Sequence, residues 1–323
     1  MGSNLMNLKQ LAGLALVVGI FAAPAAFGEV TAEKTKNGVT IKIDGKPFTE
    51  YHTSAGHSPA LWPVIGPTGK AVTRSYPFTP VEKDGTKDHP HHQSIWFTHD
   101  KVNGKDYWAA NKNDGKGNTG AHIAHREFVE VASGDTARIV TRNDWMDGDM
   151  RVCEDERKLV FGTGPDDTRW IDFTITIKAT DGDVTFGDTK EGSFAVRVAD
   201  SMRVDAKKGG HIVNSDGKEN GDAWGVPARW VDYTGPVEGE TAGIAIMSHP
   251  KSFHPLPRWH VRTYGLFAAN PFGEKDFPKS DSVKQGEYTL KKGDSITLHY
   301  RVLLHNGQTV PAAIEEAFRA FAS

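Results

Sequence analysis

A histidine-rich block near residue 90 is the clearest sign of chemistry in this sequence. Residues 88–97 read DHPHHQSIWF, which places three imidazoles, a carboxylate and an indole close together. If the segment is extended, His89 and His91 point to one face and His92 to the other. A His-x-His pair can offer two nitrogens to one metal ion, and imidazole also transfers protons near neutral pH. The alternative is that these histidines hydrogen-bond one another and nearby carbonyl groups at a sheet rim.

Further groups suited to proton transfer lie near the ends of predicted strands. Glu191 comes just before a predicted strand and, with Asp188, could supply a general base or a metal-binding oxygen. The alternative is a solvated turn pair. His260 and Arg262 alternate along another strand and therefore share a face. We expect one cleft to bring together the catalytic candidates, which are His89, His91, Glu191 and His260.

A second group of residues has the mixture of side chains that sugar-binding sites use. Arg229 offers a guanidinium that donates hydrogen bonds, Trp230 a flat apolar ring and Asp232 a carboxylate that accepts hydrogen bonds. The alternative for this group is ordinary packing of a surface tryptophan. His122 and His125 are three residues apart, so on a strand at most one of them joins the site. The substrate-binding candidates are His92, Trp96, His122, Arg229, Trp230, Asp232, His249 and Arg262.

Composition narrows the classes of ligand. The formal net charge is −3 and the charges are mixed, so we expect no nucleic acid partner. Cys153 is the single cysteine and cannot form an internal disulfide. The six methionines are not clustered, which disfavours a soft copper site. No cofactor is indicated with certainty; a divalent metal ion is possible, and its ligands are undetermined.

The N-terminus predicts export. Lys9 precedes an apolar stretch at 11–21, and Ala26-Phe27-Gly28 resembles a cleavage site, so we predict a signal peptide over 1–28. A membrane-spanning helix needs roughly 20 apolar residues, and this stretch is shorter. A retained anchor is the alternative. We therefore expect a periplasmic or secreted mature protein that is not inserted in the membrane.

The rest of the chain has the patterns of an all-β protein. Apolar and polar residues alternate over 171–178 and 296–302, and the run 39–43 leads into the turn dipeptide Asp44-Gly45. We predict a large antiparallel β-sandwich over 30–305, within a single domain at 29–323.

The C-terminus predicts the one helix, over 309–322. Thr309 could cap it and Pro311 would lie in its first turn. An apolar stripe should pack the helix on the sheet, formed by Ile314, Ala317, Phe318 and Phe321. The segments 110–120 and 205–223 are predicted to be long exposed loops.

Several motifs resemble those of a family of exported bacterial proteins of unknown function that has been labelled methane oxygenase PmoA. The matching segments are 62–67, 88–97, 188–197, 229–233 and 249–273. A true particulate methane monooxygenase subunit is an integral membrane protein, so we reject methane oxidation. An HP dipeptide before an aromatic-rich strand also resembles the galactose-mutarotase-like supersandwich. That resemblance implies a sandwich cleft in which histidines and a carboxylate move protons on a sugar.

Three hypotheses about function follow. The first is an exported carbohydrate-active enzyme, a lyase, hydrolase or epimerase-like protein, that uses a His/Glu cleft with possible metal assistance. The second is a non-catalytic periplasmic sugar-binding protein with a small-molecule or oligosaccharide ligand. The third, a redox or metal-storage protein, is favoured only by the 14 histidines. The substrate, the reaction type and the oligomeric state do not follow from the sequence.

Overall fold

The structure is a computed structural model that describes residue 1 and residues 28–81, 85–109, 120–277 and 284–323. The predicted signal peptide, apart from its two end residues, and nearly all of the predicted loop 110–120 lie outside these ranges. No helix within them has the length and apolarity needed to cross a membrane.

Two eight-stranded antiparallel sheets form the protein, with a two-stranded ribbon beside them. The first sheet has the strand order β1-β2-β3-β4-β5-β11-β16-β15, with β1 Val30–Lys34, β2 Gly38–Ile43, β3 Lys46–Ala55, β4 Ser58–Val64, β5 Ile95–His99, β11 Gly192–Arg197, β16 Leu266–Asn270 and β15 Arg258–Trp259. The second has the order β12-β13-β14-β18-β9-β8-β7-β6, with β12 His211–Asn214, β13 Trp230–Val237, β14 Glu240–Ser248, β18 Ser295–Asn306, β9 Arg169–Lys178, β8 Met150–Thr163, β7 Ala137–Asp147 and β6 Ala121–Ala132. The ribbon pairs β10 Val184–Phe186 with β17 Tyr288–Leu290.

The core lies between the two large sheets and follows from alternation along each strand. On β9 the residues Ile171, Phe173, Ile175 and Ile177 are buried in it. Across the sandwich, the ring of Phe194 on β11 lies 4.7 Å from Phe173 and 4.8 Å from Tyr300, measured between ring centroids. The core therefore joins the sheets through side chains that point to one face of each strand.

The first hairpin turns at Asp44-Gly45, the dipeptide at which the sequence predicts a turn. β2 and β3 are joined at Asp44-Gly45, where φ is 51° and 73°. A two-residue turn with positive φ at both positions matches the twist of the flanking strands, which explains the Asp-Gly pair.

The C-terminal helix α1, Pro311–Ala322, covers the outer face of the second sheet. Ile314 and Phe318 are buried there, with Ala317 and Phe321 packed beside them. The residue before the helix is Val310, which makes no side-chain capping bond, so the prediction of a Thr309 cap is wrong. The predicted all-β antiparallel sandwich with a C-terminal helix is confirmed.

Candidate functional site

The outer face of the first sheet, turned away from the core, carries a row of small residues between an indole and an imidazole. Trp96 on β5 is paired with Ala195 on β11, and Ala195 with Ala268 on β16. His260 exchanges two backbone hydrogen bonds with Ala268, which extends the row by one residue beyond β15. Alanines at the middle of a sheet leave room above the backbone for other side chains.

The space above this row is filled from the segment that leads into β5, and that segment is a turn. The His92 amide donates to the His89 carbonyl at 3.0 Å, and His89 has φ of 43°. The expected extended geometry, with His92 opposite to His89 and His91, is therefore wrong. The three imidazole rings lie together, with centroids 5.6 Å apart for His89 and His91, 4.6 Å for His91 and His92, and 4.7 Å for His89 and His92.

Asp88 orients His89. Its Oδ1 accepts hydrogen bonds from Arg74 Nη1 at 2.7 Å and from Arg197 Nη2 at 2.9 Å, while Oδ2 lies 2.8 Å from His89 Nδ1. Burial alone would raise the pKa of Asp88, but the His89 hydrogen bond and the Arg197 charge hold it well below its usual value. The ionised carboxylate therefore accepts the Nδ1 proton of His89, and Nε2 is left as the acceptor nitrogen of a ring whose side chain is 40% exposed.

His92 is buried and held in one tautomer. Arg197 Nη1 lies 3.1 Å from His92 Nδ1, and since a guanidinium only donates, this nitrogen must be the acceptor. Burial, together with the charges of His91 and Arg197, lowers the pKa of His92 well below the usual value. A neutral His92 therefore supports the ring of His89, which is stacked beside it.

Aromatic rings continue the site away from His89. The ring of Tyr264 is stacked 5.2 Å from that of His89, and the guanidinium carbon of Arg262 lies 5.3 Å from the Tyr264 centroid. The same carbon lies 4.1 Å from the centroid of Trp224, whose ring is stacked 6.3 Å from His260. Burial raises the pKa of Tyr264 to about 12, so its hydroxyl is a proton donor at neutral pH.

His260 is the second buried imidazole of the site. Its Nδ1 lies 3.6 Å from Glu191 Oε2, slightly beyond hydrogen-bond length. Burial, with the charges of Arg262 and Lys190, lowers the pKa of His260 to about 3, so the ring is neutral at pH 7. The Glu191 side chain is 31% exposed and connects this buried ring to solvent.

The candidate site, called here the histidine site, is thus continuous on the outer face of the first sheet. It consists of Asp88, His89, His91, His92, Glu191, Arg197, Trp224, His260, Arg262 and Tyr264. The structure places His89 beside His91 and Glu191 beside His260, with Tyr264, Arg262 and Trp224 between the two pairs. That the four residues form one catalytic cleft stays a prediction. Asp188 is not part of it, because its carboxylate accepts backbone amide hydrogen bonds from Glu274 at 2.9 Å and Gly286 at 3.0 Å.

Four of the predicted substrate-binding residues lie on the other side of the molecule. Trp230 packs under helix α1 and donates from Nε1 to Glu315 Oε2 at 3.0 Å, and Arg229 is paired with the same carboxylate. The ring of His249 is 4.9 Å from that of Phe321 on this helix. Asp232, fully buried, is paired with His305 beneath the same face. Arg229, Trp230, Asp232 and His249, which the sequence analysis predicts to bind substrate, are therefore not part of the histidine site. Trp230 and Asp232 lie two residues apart on β13 and face the outer side of the second sheet, while Arg229 and His249 lie outside that strand and contact helix α1.

Two other predictions also change. His122 lies on β6 of the second sheet, with Nδ1 3.0 Å from the Gly120 carbonyl oxygen, and it is not part of the histidine site. Trp96 belongs to the row beneath the site but is only 1% exposed, because His92 and Trp108 cover its ring. Trp224 is partly exposed and replaces Trp96 as the indole that a ligand can reach.

The arrangement does not fit a metal ion. Among the described residues, no group of three His, Cys, Asp or Glu side chains has the geometry to hold one. Nδ1 of His89 is engaged with Asp88, and Nδ1 of His92 faces a guanidinium, so these two nitrogens are already occupied. A cation bound at these nitrogens would have to displace an existing charge-assisted bond.

Sequence reasoning did not select Arg197, Trp224 and Tyr264 of this site, nor Arg74, which is paired with Asp88. Arg74 is distant in sequence from the histidine block and gave no signal. Trp224 comes directly after the segment 205–223, which the sequence predicts to be an exposed loop. Tyr264 lies within the segment 249–273 that supported the family resemblance, and this was a signal by which it could have been chosen as a candidate site residue.

Solved structures with a related architecture include sugar-active proteins. They are a heparan sulfate lyase mutant from Pedobacter heparinus (9% identity, 88% of this chain, 36% of that chain, TM-score 0.39), a galactose mutarotase-like protein from Clostridium acetobutylicum (12%, 87%, 99%, 0.39) and a GalM/aldose epimerase homologue from C. elegans (8%, 87%, 100%, 0.33). The chain thus spans about a third of the lyase. Similarity at this level says nothing about activity.

At the level of sequence, no curated protein matches the chain. Residues 38–319 match a family described as one of unknown function, DUF6807. The match runs from the start of β2 into α1 and includes every residue of the histidine site. The description carries no methane oxygenase label. With most of its length covered, the chain belongs to this family of unknown function.

Proposed function

We propose that the histidine site binds a carbohydrate and transfers protons on it, which would make the protein an exported carbohydrate-active enzyme. The observation that carries the proposal is the Asp88–His89 pair at 2.8 Å, with the imidazole partly exposed. A carboxylate that fixes the tautomer of a histidine is a recurring way to prepare a general base. A merely structural histidine would not need to be accessible.

The other groups supply what such a reaction needs. His89 Nε2 would take a proton from the sugar. The hydroxyl of Tyr264, stacked beside His89, is the candidate for returning a proton to the ligand, and His260 beside Glu191 is a second possible acceptor. Since the pKa of Tyr264 is raised and that of His260 is lowered, the hydroxyl is a donor and the imidazole an acceptor at neutral pH. Whether the reaction is a lyase, hydrolase or epimerase step depends on the sugar.

The proposed ligand class comes from the mixture of surfaces. Sugar rings offer apolar C–H faces and many hydroxyl groups, so their sites combine aromatic rings with fixed polar groups. Trp224 and Tyr264 supply partly exposed rings, and His89 and Arg262 supply polar groups beside them. The resemblance to proteins labelled methane oxygenase adds no chemistry to this proposal.

A non-catalytic sugar-binding protein is the second candidate. It is favoured by the burial of His92 and His260, each 1% exposed, which leaves few titratable groups open to a ligand. The two candidates make different predictions for His89. A binder needs its ring only as a surface, whereas an enzyme needs its Nε2.

The test is to screen the mature protein against neutral and acidic oligosaccharides, following both binding and turnover by NMR. The comparison uses the parent, His89→Gln and, as matched control, His211→Gln, a partly exposed histidine on β12 of the second sheet. The enzyme predicts that His89→Gln lowers turnover by about 10²- to 10⁴-fold, while His211→Gln has no effect. Binding by all three proteins with no turnover by the parent would establish the binder instead.

Export is part of the proposal and has its own test. The predicted signal peptide ends at Gly28, so the mature protein should begin at Glu29. Intact-mass measurement of protein recovered from the periplasm or medium of a bacterial host should give that N-terminus. Recovery of the uncleaved chain from the membrane would favour the retained anchor.

A further inference from the structure

Arg262 is held in an unusual way for a charged side chain. Its guanidinium carbon lies 4.1 Å from the ring centroid of Trp224 and 5.3 Å from that of Tyr264. Among the residues that the structure describes, its side chain has no hydrogen bond and no carboxylate partner. The backbone of Arg262 is held in place by its amide, which donates a hydrogen bond to the Leu266 carbonyl oxygen at 2.7 Å. By contrast, Arg258 in the same segment is paired with Glu274 at 2.8 Å.

The other cations near Arg262 have carboxylate partners. Arg74 and Arg197 share the single carboxylate of Asp88, so this trio has a surplus of one positive charge. Lys190 Nζ lies 3.8 Å from Glu191 Oε1 and 3.9 Å from Asp276 Oδ2. A ligand with a negative charge would give Arg262 the partner that the described residues do not supply.

We propose that the ligand is an anionic sugar, a uronate, and that Arg262 binds its carboxylate. This deepens the proposed function and rests on it. A guanidinium is planar and pairs with the two oxygens of a carboxylate through two parallel hydrogen bonds. The rings of Trp224 and Tyr264 fix the position of the Arg262 guanidinium before the ligand binds, which reduces the side-chain entropy lost on binding.

The experiment is affinity electrophoresis of the mature protein in gels that contain a uronate polymer. Polygalacturonate, alginate and hyaluronan are each compared with the carboxyl-reduced form of the same polymer, which keeps the sugar chain and loses the charge. Arg262→Gln removes the positive charge, and Arg262→Lys keeps the charge but lacks the planar guanidinium that can bind both carboxylate oxygens. Arg138→Gln is the matched control, because Arg138 is exposed on β7 of the second sheet and paired only with Glu130 among the described residues.

We expect that, for at least one polymer, the dissociation constant of the parent protein is about 10- to 100-fold lower for the native polymer than for its carboxyl-reduced form. Arg262→Gln should lose the same factor, Arg262→Lys should lose part of it, and Arg138→Gln should bind like the parent. The comparison with reduced polymers uses the parent alone and so does not depend on the folding of any variant.

Other outcomes overturn the inference in distinguishable ways. Equal binding of native and reduced polymers, unaffected by Arg262→Gln, would reject the uronate and leave the sugar site standing. Retardation by dextran sulfate as strong as by the uronate polymer would reject a carboxylate-specific role for Arg262. Failure to bind any native or reduced polymer would count against the proposed function and this inference together.

Discussion

Replacing Asp88 by Asn should destabilise the fold much more than replacing the histidine that it orients. The substitution keeps the size of the side chain and removes its charge. It leaves the guanidinium groups of Arg74 and Arg197, whose side chains are 1% and 0% exposed, without their shared carboxylate. Breaking a buried ion pair costs about 3–5 kcal/mol. Because Asp88 itself is 34% exposed, water screens part of this, and we expect a loss of about 3 kcal/mol.

The assay is urea denaturation of the parent, Asp88→Asn and His89→Gln. The histidine variant removes one hydrogen bond and keeps both ion pairs, so it should lose only about 0.5–1.5 kcal/mol. The pKa of Asp88 is held well below its usual value, so its contribution is present above the unfolded value of about 4 and is lost only as the pH falls through the lower folded value. The gap between parent and Asp88→Asn should therefore be equal at about pH 6 and pH 8. A gap smaller than about 0.5 kcal/mol would refute the account of the two buried guanidinium groups.

Three further substitutions test the fold and its second charged pair. Phe194→Ala removes the ring that contacts Phe173 and Tyr300, and it should lower the free energy of unfolding by about 3–5 kcal/mol in the same assay; a loss below about 1 kcal/mol would contradict the packing. Ala195→Val overpacks the row beneath the histidine site and should cost about 1–3 kcal/mol, whereas a neutral result would show free space there. Burial alone would lower the pKa of His305, but Asp232 raises it above the usual value, so the pair stabilises the fold below pH about 6.5 and less as the pH rises through the raised value. His305→Gln should accordingly lose more stability at about pH 5.5 than at about pH 9, and an equal loss at both would reject the pairing.

Strands and turns were predictable because their signals are local. The alternation over 171–178 gave strand β9, and Asp44-Gly45 gave the turn between β2 and β3. The C-terminal helix followed from Pro311 and its apolar stripe, but Thr309 does not cap it. In each case the spacing within a few residues determines which face is buried.

The composition of the site was only partly predictable, because it depends on the order of strands in the sheet. The sequence contexts of Trp230 and Arg262 are similar, because each residue lies near a predicted strand in a segment of aromatic and polar residues. The strand of Trp230 lies in the second sheet under helix α1, whereas Arg262 follows a strand of the first sheet. The positive φ of His89, which brings the three imidazoles together, is not marked by a turn dipeptide such as Asp44-Gly45, so the sequence did not predict it.

The central claim is that His89, oriented by Asp88, is the base of a carbohydrate-active site on the outer face of the first sheet. The most direct test is turnover of a bound oligosaccharide in D₂O, observed by NMR for the parent, His89→Gln and His211→Gln. The account predicts that the parent converts the oligosaccharide to product. It also predicts that His89→Gln does so about 10²- to 10⁴-fold more slowly while still binding, and that His211→Gln matches the parent. Turnover by His89→Gln at the parental rate would contradict it.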